Sequence, residues 1–161
     1  MNIHSLKNGI KSLKSVPISF TNNSRELLFT HAVKEVVKET NFELIGEELC
    51  IKNEQGTGKC DLWLANCSHN FLLSLELKVG DSRDTRKQKS LQRQVLKYTD
   101  HMQYYFPNNI IYGFGAYKLI SSGVDFFDYQ ACFEKIQRGR DIEKTIFNKE
   151  IDNLKLLIST L

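Results

Sequence analysis

The sequence predicts an α/β domain with a central mixed sheet flanked by helices. Three observations carry this. Residues 59–64 and 71–79 read as adjoining strands, the second alternating apolar and polar at period two. Two stretches, Leu28 to Val37 and Leu91 to Met102, repeat apolar residues at helical spacing. The elements follow the order helix, three strands, helix, strand, with one more helix at the C-terminal end, which requires both hairpin and crossover connections. At 161 residues the chain reads as one domain with a basic arm, residues 1–20 and 21–161.

The arm holds Lys7, Lys11 and Lys14 without an acid, and reads as a solvated tail or, alternatively, a phosphate-contacting arm. Thr21-Asn22-Asn23-Ser24 is a helix-start cluster, with Glu26 three residues after Asn23. The helix runs to about Thr40, with Leu28, Phe29, Ala32, Val33, Val36 and Val37 on its apolar face. Phe42 to Lys52 reads as a strand interrupted at Gly46 and Glu47-Glu48, and Asn53 to Gly58 as a turn. After the two central strands, Gly80 to Thr85 is a polar loop. A helix from Arg86 to about Met102 turns Leu91, Val95, Tyr98 and Met102 inward, with Gln94 bordering that stripe. Ile110 to Ile120 is a further core strand. Val124 to Gln137 is ambiguous, with a helix favoured at its end, and a last helix starts at Asp141 with Ile142, Ile146, Ile151, Leu154, Leu157 and Leu161 toward the body.

Phe71, Leu73, Leu75, Leu77 and Val79 point one way; Leu72, Ser74, Glu76 and Lys78 point the other. Cys60, Leu62 and Leu64 likewise oppose Asp61 and Trp63, with Trp63 expected under the first helix. Paired residues share a face, so matching the apolar faces forces their numbers to sum to an odd value. One such register pairs Leu64 with Leu73, Leu62 with Leu75 and Asp61 with Glu76, closing on a tight turn at Ser68-His69. Longer loops keep the same parity. A one-residue slip would bury the charges. Like charges directly opposed destabilise a sheet, so Asp61 opposite Glu76 calls for a cation.

The net charge of +3 is too small to imply a nucleic-acid partner, but its distribution is uneven. Between Lys78 and Lys97 seven basic residues face two acidic ones, a net of +5, so the rest of the chain carries −2. Cys50, Cys60, Cys67 and Cys132 show no Cys-x-x-Cys spacing and read as free thiols. No apolar run approaches a membrane span and residues 1–14 lack an apolar signal core, so a soluble, intracellular protein without a membrane partner is expected.

Asp61, then Glu76-x-Lys78 on the next strand, then a basic helix, resembles the PD-(D/E)XK (restriction-endonuclease-like) nuclease superfamily, whose αβββαβ core fits residues 24–120. Gly56-Thr57-Gly58 and Leu62-Trp63-Leu64 look like the family's Asp strand, and Gln94-x-x-x-Tyr98 resembles the Gln-x-x-x-Tyr element of its RecB-type branch. The family's proline before the Asp is Cys60 here. Arg25-Glu26-Leu27-Leu28 looks like the first-helix start of archaeal Holliday-junction resolvases, where the Glu joins the site; Glu35 is the alternative, and Glu26 as a helix cap is the plainer reading. The four cysteines do not follow the pattern of cluster-bearing members.

The resemblance implies a metal-dependent DNA nuclease: a phosphodiester hydrolase of restriction, homing or junction-resolving type. In it Asp61, Glu76 and the Leu77 carbonyl would bind Mg²⁺ or Mn²⁺, and Lys78 would orient or deprotonate the attacking water or offset phosphate charge. Glu26 and Gln94 would complete the catalytic group. Arg83, Arg86, Lys87, Lys89, Arg93, Lys97 and Tyr98 would contact DNA, although Tyr98 is equally a core aromatic. Cutting two strands implies a homodimer or higher oligomer. The alternatives are an exonuclease or accessory subunit, or a non-catalytic DNA-binding or assembly module of the same fold. His31 and His69 read as structural or exposed.

Overall fold

A computed structural model describes residues 22–53, 56–66, 71–81, 84–106, 109–120, 122–131 and 141–161, and the structural statements below concern these. They form helix α1 (Asn22–Val37), strands β1 (Glu43–Asn53), β2 (Gly56–Asn66) and β3 (Phe71–Gly80), helix α2 (Thr85–Tyr105), strands β4 (Ile110–Leu119) and β5 (Val124–Ala131), and helix α3 (Asp141–Ser159). The strands make one mixed sheet in sequence order. All neighbours are antiparallel except β3 and β4, which run parallel because α2 carries the chain back between them.

The sheet is covered on both faces. Leu62 and Leu64 of β2 and the odd-numbered residues of β3 pack against Phe29, Ala32, Val33, Val36 and Val37 of α1 and Ile151, Leu154 and Ile158 of α3. On the other face Cys60, Trp63, Ala65, Leu72 and Ile111 meet Tyr98 and Met102 of α2. Farther along α2, Leu91 and Val95 pack on Tyr117 and Leu119. The odd residues of β3 are thus apolar because they face two helices. Ser74, on the even face, is buried against Thr99 of α2, whose hydroxyl lies 3.4 Å from it. Glycines on β4 let α2 sit down: a Cβ at Gly113 would lie 1.8 Å from the Thr99 hydroxyl, and one at Gly115 would meet Leu91.

Local chemistry explains most element ends. α1 stops at Val37, short of the expected Thr40. There the Thr40 hydroxyl donates to the Val37 carbonyl and accepts from the Phe42 N–H, drawing the chain into a turn. Asp84 caps α2 by accepting from the Arg86 and Lys87 N–H groups. β1 and β2 pair up to Asn53 and Gly56, so much of the expected Asn53–Gly58 turn is strand. β5 occupies residues 124–131, where the ambiguous stretch allowed a helix; Asp125, Phe126, Phe127 and Asp128 instead pair with β4 at the sheet edge. The helix expected at the end of that stretch, the basic arm, the Ser68-His69 turn, and the residues Arg83, Cys67 and Cys132 lie outside the described residues.

Two expectations about facing are corrected. Trp63 packs under α2, its ring 6.5 Å from His101, and not under α1. Cys60 is buried as expected, but with Trp63 and Tyr98 on the α2 side rather than with Leu62 and Leu64. Residues 60 and 62 of a regular strand share a face. Here they do not, so the alternation of β2 breaks at Asp61.

Candidate active site

The break at Asp61 is where β2 and β3 separate. Their ladder runs from Asn66↔Phe71 to Leu62↔Leu75, in the register derived from the apolar faces, and no further. Beyond it, carboxylates take the hydrogen bonds that a partner strand would. The Asp61 N–H donates to the Glu76 carboxylate at 2.8 Å, and the Leu77 N–H donates to the Asp61 carboxylate at 2.8 Å. The Val79 N–H donates to the carboxylate of Glu26, from the first turns of α1. Asp61, Glu76 and Glu26 thus fill an open seam between two strands.

Asp61 and Glu76 reach that seam from different sides. Asp61 lines a cleft of about 590 Å³ with Glu26, Leu27, Thr30, His31 and Lys34 of α1, Glu47 and Glu48 of β1, and Leu77. Glu76 is enclosed, 2% exposed, on the even face of β3 toward Tyr98 and Cys60. The reciprocal main-chain bonds join the pair, rather than the common face that strict alternation implied.

Burial pushes the Glu76 carboxyl well above the ordinary range, and the neighbouring Asp61 charge pushes it further. Burial also raises Asp61, partly offset by the Leu77 N–H, by a hydrogen bond from the Glu76 carboxyl and by Lys78. Of the two, Glu76 is pushed up the more strongly, because it is the more deeply buried. Burial raises Glu26 too, against the pull of Lys78 and Lys87. Lys78, half-buried at the end of β3, lies within electrostatic reach of Glu26, Asp61 and Glu76. Of the two first-helix candidates, Glu26 joins this group. Glu35 faces away from it and pairs with Lys38 at 2.8 Å.

The remaining predicted residues divide. Gln94 is half-buried on α2, one turn before Tyr98, and its side-chain oxygen is buried without a hydrogen-bond partner. Tyr98 is 3% exposed, and its hydroxyl receives the Lys59 N–H, so it is a core aromatic seated against β2. Arg86, Lys89 and Arg93 are exposed along α2, and Lys97 lies 5.9 Å over the Tyr98 ring. Lys87, in the first turn, is near enough to act on Glu26. His31 is exposed at the cleft.

Sequence reasoning missed two residues. Arg25 is 4% exposed and pairs with Asp81 at 2.8 Å, tying the start of α1 to the end of β3 and so placing Glu26; its neighbour Glu26 was the only hint. Glu48 lines the cleft, and nothing in its chemistry distinguishes it from a solvated strand residue.

Two adjacent carboxyls with raised affinity for protons, one buried and one half-buried, form a hard oxygen donor set that a divalent cation would suit. The Leu77 carbonyl points to the same side of β3 as its N–H, into the seam. Among the described residues no three His, Cys, Asp or Glu side chains converge as a ligand group. An ion here would therefore use Asp61, Glu76, the Leu77 carbonyl and water, a set that suits Mg²⁺ or Mn²⁺ better than zinc. No helix among the described residues is long and apolar enough to cross a membrane.

No protein family, curated protein or solved structure matches this chain. The chemistry of the seam therefore stands on its own residues.

Proposed function

We propose that the protein is a metal-dependent DNA nuclease with a restriction-endonuclease-like core, hydrolysing phosphodiester bonds at the β2–β3 seam. The observation that carries this is the pair of half-buried Asp61 and buried Glu76 with Lys78 beside it, next to a helix whose exposed face is basic. An isolated pair of this kind costs stability, and the chain places it where β2 and β3 leave main-chain groups open.

Asp61, Glu76 and the Leu77 carbonyl would hold Mg²⁺ or Mn²⁺, which when bound supplies an activated water and offsets charge on the phosphate. Lys78 supplies a positive charge at the reacting phosphate and a donor to orient the water. Glu26, held by the Val79 N–H, keeps a carboxyl group near Lys78. Gln94 brings an acceptor without a partner onto α2, whose Leu91 lies against the β4 residue paired with Glu76. Lys87 adjoins the site, while Arg86, Lys89 and Arg93 extend the positive surface along α2 and would contact the DNA backbone. Cutting both strands from one site per chain calls for a symmetric pair of chains.

The test uses supercoiled plasmid and four-way-junction DNA. Wild type is expected to cut with Mg²⁺ or Mn²⁺ and to stop with a chelator, and Lys78→Ala to bind DNA without cutting it. Wild type that binds both DNAs and cuts neither would falsify the enzyme reading and leave a DNA-binding module.

A further inference from the structure

Glu48 is the only non-glycine residue among those described with a left-handed backbone, φ 46°. That conformation is unfavourable for a side chain with a Cβ, and glycine or asparagine is its usual occupant. It occurs at one place in the β1–β2 ladder. Glu47 pairs with Leu62 and Leu49 with Cys60 in one register, so Glu48 stands opposite Asp61 without pairing to it; the register shift of this ladder lies elsewhere, between Leu44 and Gly46. The same Asp61 lies just past the end of the β2–β3 ladder. Asp61 is thus paired in neither ladder, and at this position its N–H meets the Glu76 carboxylate while its own carboxylate meets the Leu77 N–H. The flip of β2 between Cys60 and Leu62 falls at the same residue.

We propose that Glu48 is a positioning residue: its left-handed backbone detaches Asp61 from β1 and so sets the Asp61–Glu76–Leu77 clasp. It acts through the main chain, so its side chain matters by which backbone angles it permits. Regular pairing at Glu48 would draw Asp61 back into the β1 ladder and return it to alternation with Leu62. This inference concerns the geometry of the clasp; its consequence for cleavage rests on the nuclease reading.

The series Glu48→Gly, Glu48→Asn, Glu48→Gln and Glu48→Val separates backbone from charge. The first readout needs no DNA or metal: amide hydrogen exchange at Asp61 and Leu77, referred to Leu64 and Leu73 in the regular ladder. Glu48→Gly and Glu48→Asn are expected to keep the two clasp amides within about twofold of wild type. Glu48→Gln is expected to resemble wild type as well, since it changes charge and keeps the side chain's shape. Glu48→Val, whose branched Cβ resists φ > 0, is expected to lose protection there by about tenfold or more while Leu64 and Leu73 stay protected. If Glu48→Val unfolds the chain, Glu48→Ala carries the same comparison. The second readout is plasmid cleavage, where loss in Glu48→Val should fall on kcat and spare KM, with Glu48→Gly recovering it.

Equal loss of clasp protection in Gly, Asn and Gln would assign the effect to the carboxylate and overturn the proposal. So would unchanged clasp amides in both Glu48→Val and Glu48→Ala. Should wild type cut no DNA, the nuclease reading fails while the exchange data still decide the role of Glu48.

Discussion

The two halves of the β2–β3 hairpin are built on opposite principles. From Leu62 to Asn66 and Phe71 to Leu75 the strands are zipped, and every side chain in this stretch is buried. From Asp61 and Glu76 onward the same strands part, and carboxylates replace main-chain partners. The zipped half lowers its free energy by removing apolar surface from water. The open half keeps ionisable groups wholly or partly out of water and competing, at a cost the rest of the core must offset. A hairpin can carry both because the zipped half fixes the register that aims the open half.

The contrast can be broken from either side. The largest effect is expected on chemistry: Asp61→Asn keeps an acceptor for the Leu77 N–H but removes the charge, and should lower DNA cleavage by about 10²- to 10³-fold. Its melting temperature should stay level or rise. Quantified plasmid cleavage beside a thermal melt checks both, and equal loss of fold and cleavage would count against a division of labour between the two halves.

In the zipped half the expectation reverses. Leu73 is fully buried between β2 and α1. Leu73→Ala should cost about 3 kcal/mol in urea unfolding, with Mn²⁺ binding at the seam retained at temperatures where the variant is folded.

The open half should also set the pH response. Asp61 and Glu76 lie above their ordinary values of 3.8 and 4.5 in the folded chain. The native state then binds these protons more tightly than the unfolded state does. The stability they contribute is complete below those ordinary values and is lost as pH rises through the raised ones. Metal-free melting temperature should fall as pH increases above 4.5. Glu76→Gln should flatten that slope, gain about 1 kcal/mol near neutral pH, and abolish Mn²⁺ binding measured by calorimetry. A slope unchanged in Glu76→Gln would place its source elsewhere.

The smallest effect belongs to the helix beyond the seam. Arg93 is exposed on α2. Arg93→Ala should leave the fold intact and reduce the salt slope of DNA binding by about one, as read from affinities across a salt series.

Much of this hairpin was legible beforehand because period-two alternation is local. Phe71, Leu73, Leu75, Leu77 and Val79 announce a buried face, and parity then limits the register to those that bring Asp61 near Glu76. The stripe Leu91, Val95, Tyr98 and Met102 showed which side of α2 turns inward in the same way. The choice of Glu26 over Glu35 was not legible, since both lie on α1. What separates them is the Arg25–Asp81 ion pair and the Val79 N–H that donates to Glu26, contacts between residues more than fifty positions apart.

The sequence by itself determined that an α/β sheet would form, which strand faces are apolar, and that two carboxylates and a lysine would fall near one another. Those follow from side-chain periodicity and the cost of burying charge, both written residue by residue. Only the tertiary structure decided that Trp63 and Cys60 lie beneath α2, that Tyr98 is spent on packing, and that Asp61 and Glu76 meet through an open seam. The physical reason is that alternation assumes an unbroken strand. Where Glu48 turns left-handed and β2 lets go of β3, main-chain groups seek partners at a distance, and no local pattern records which they find.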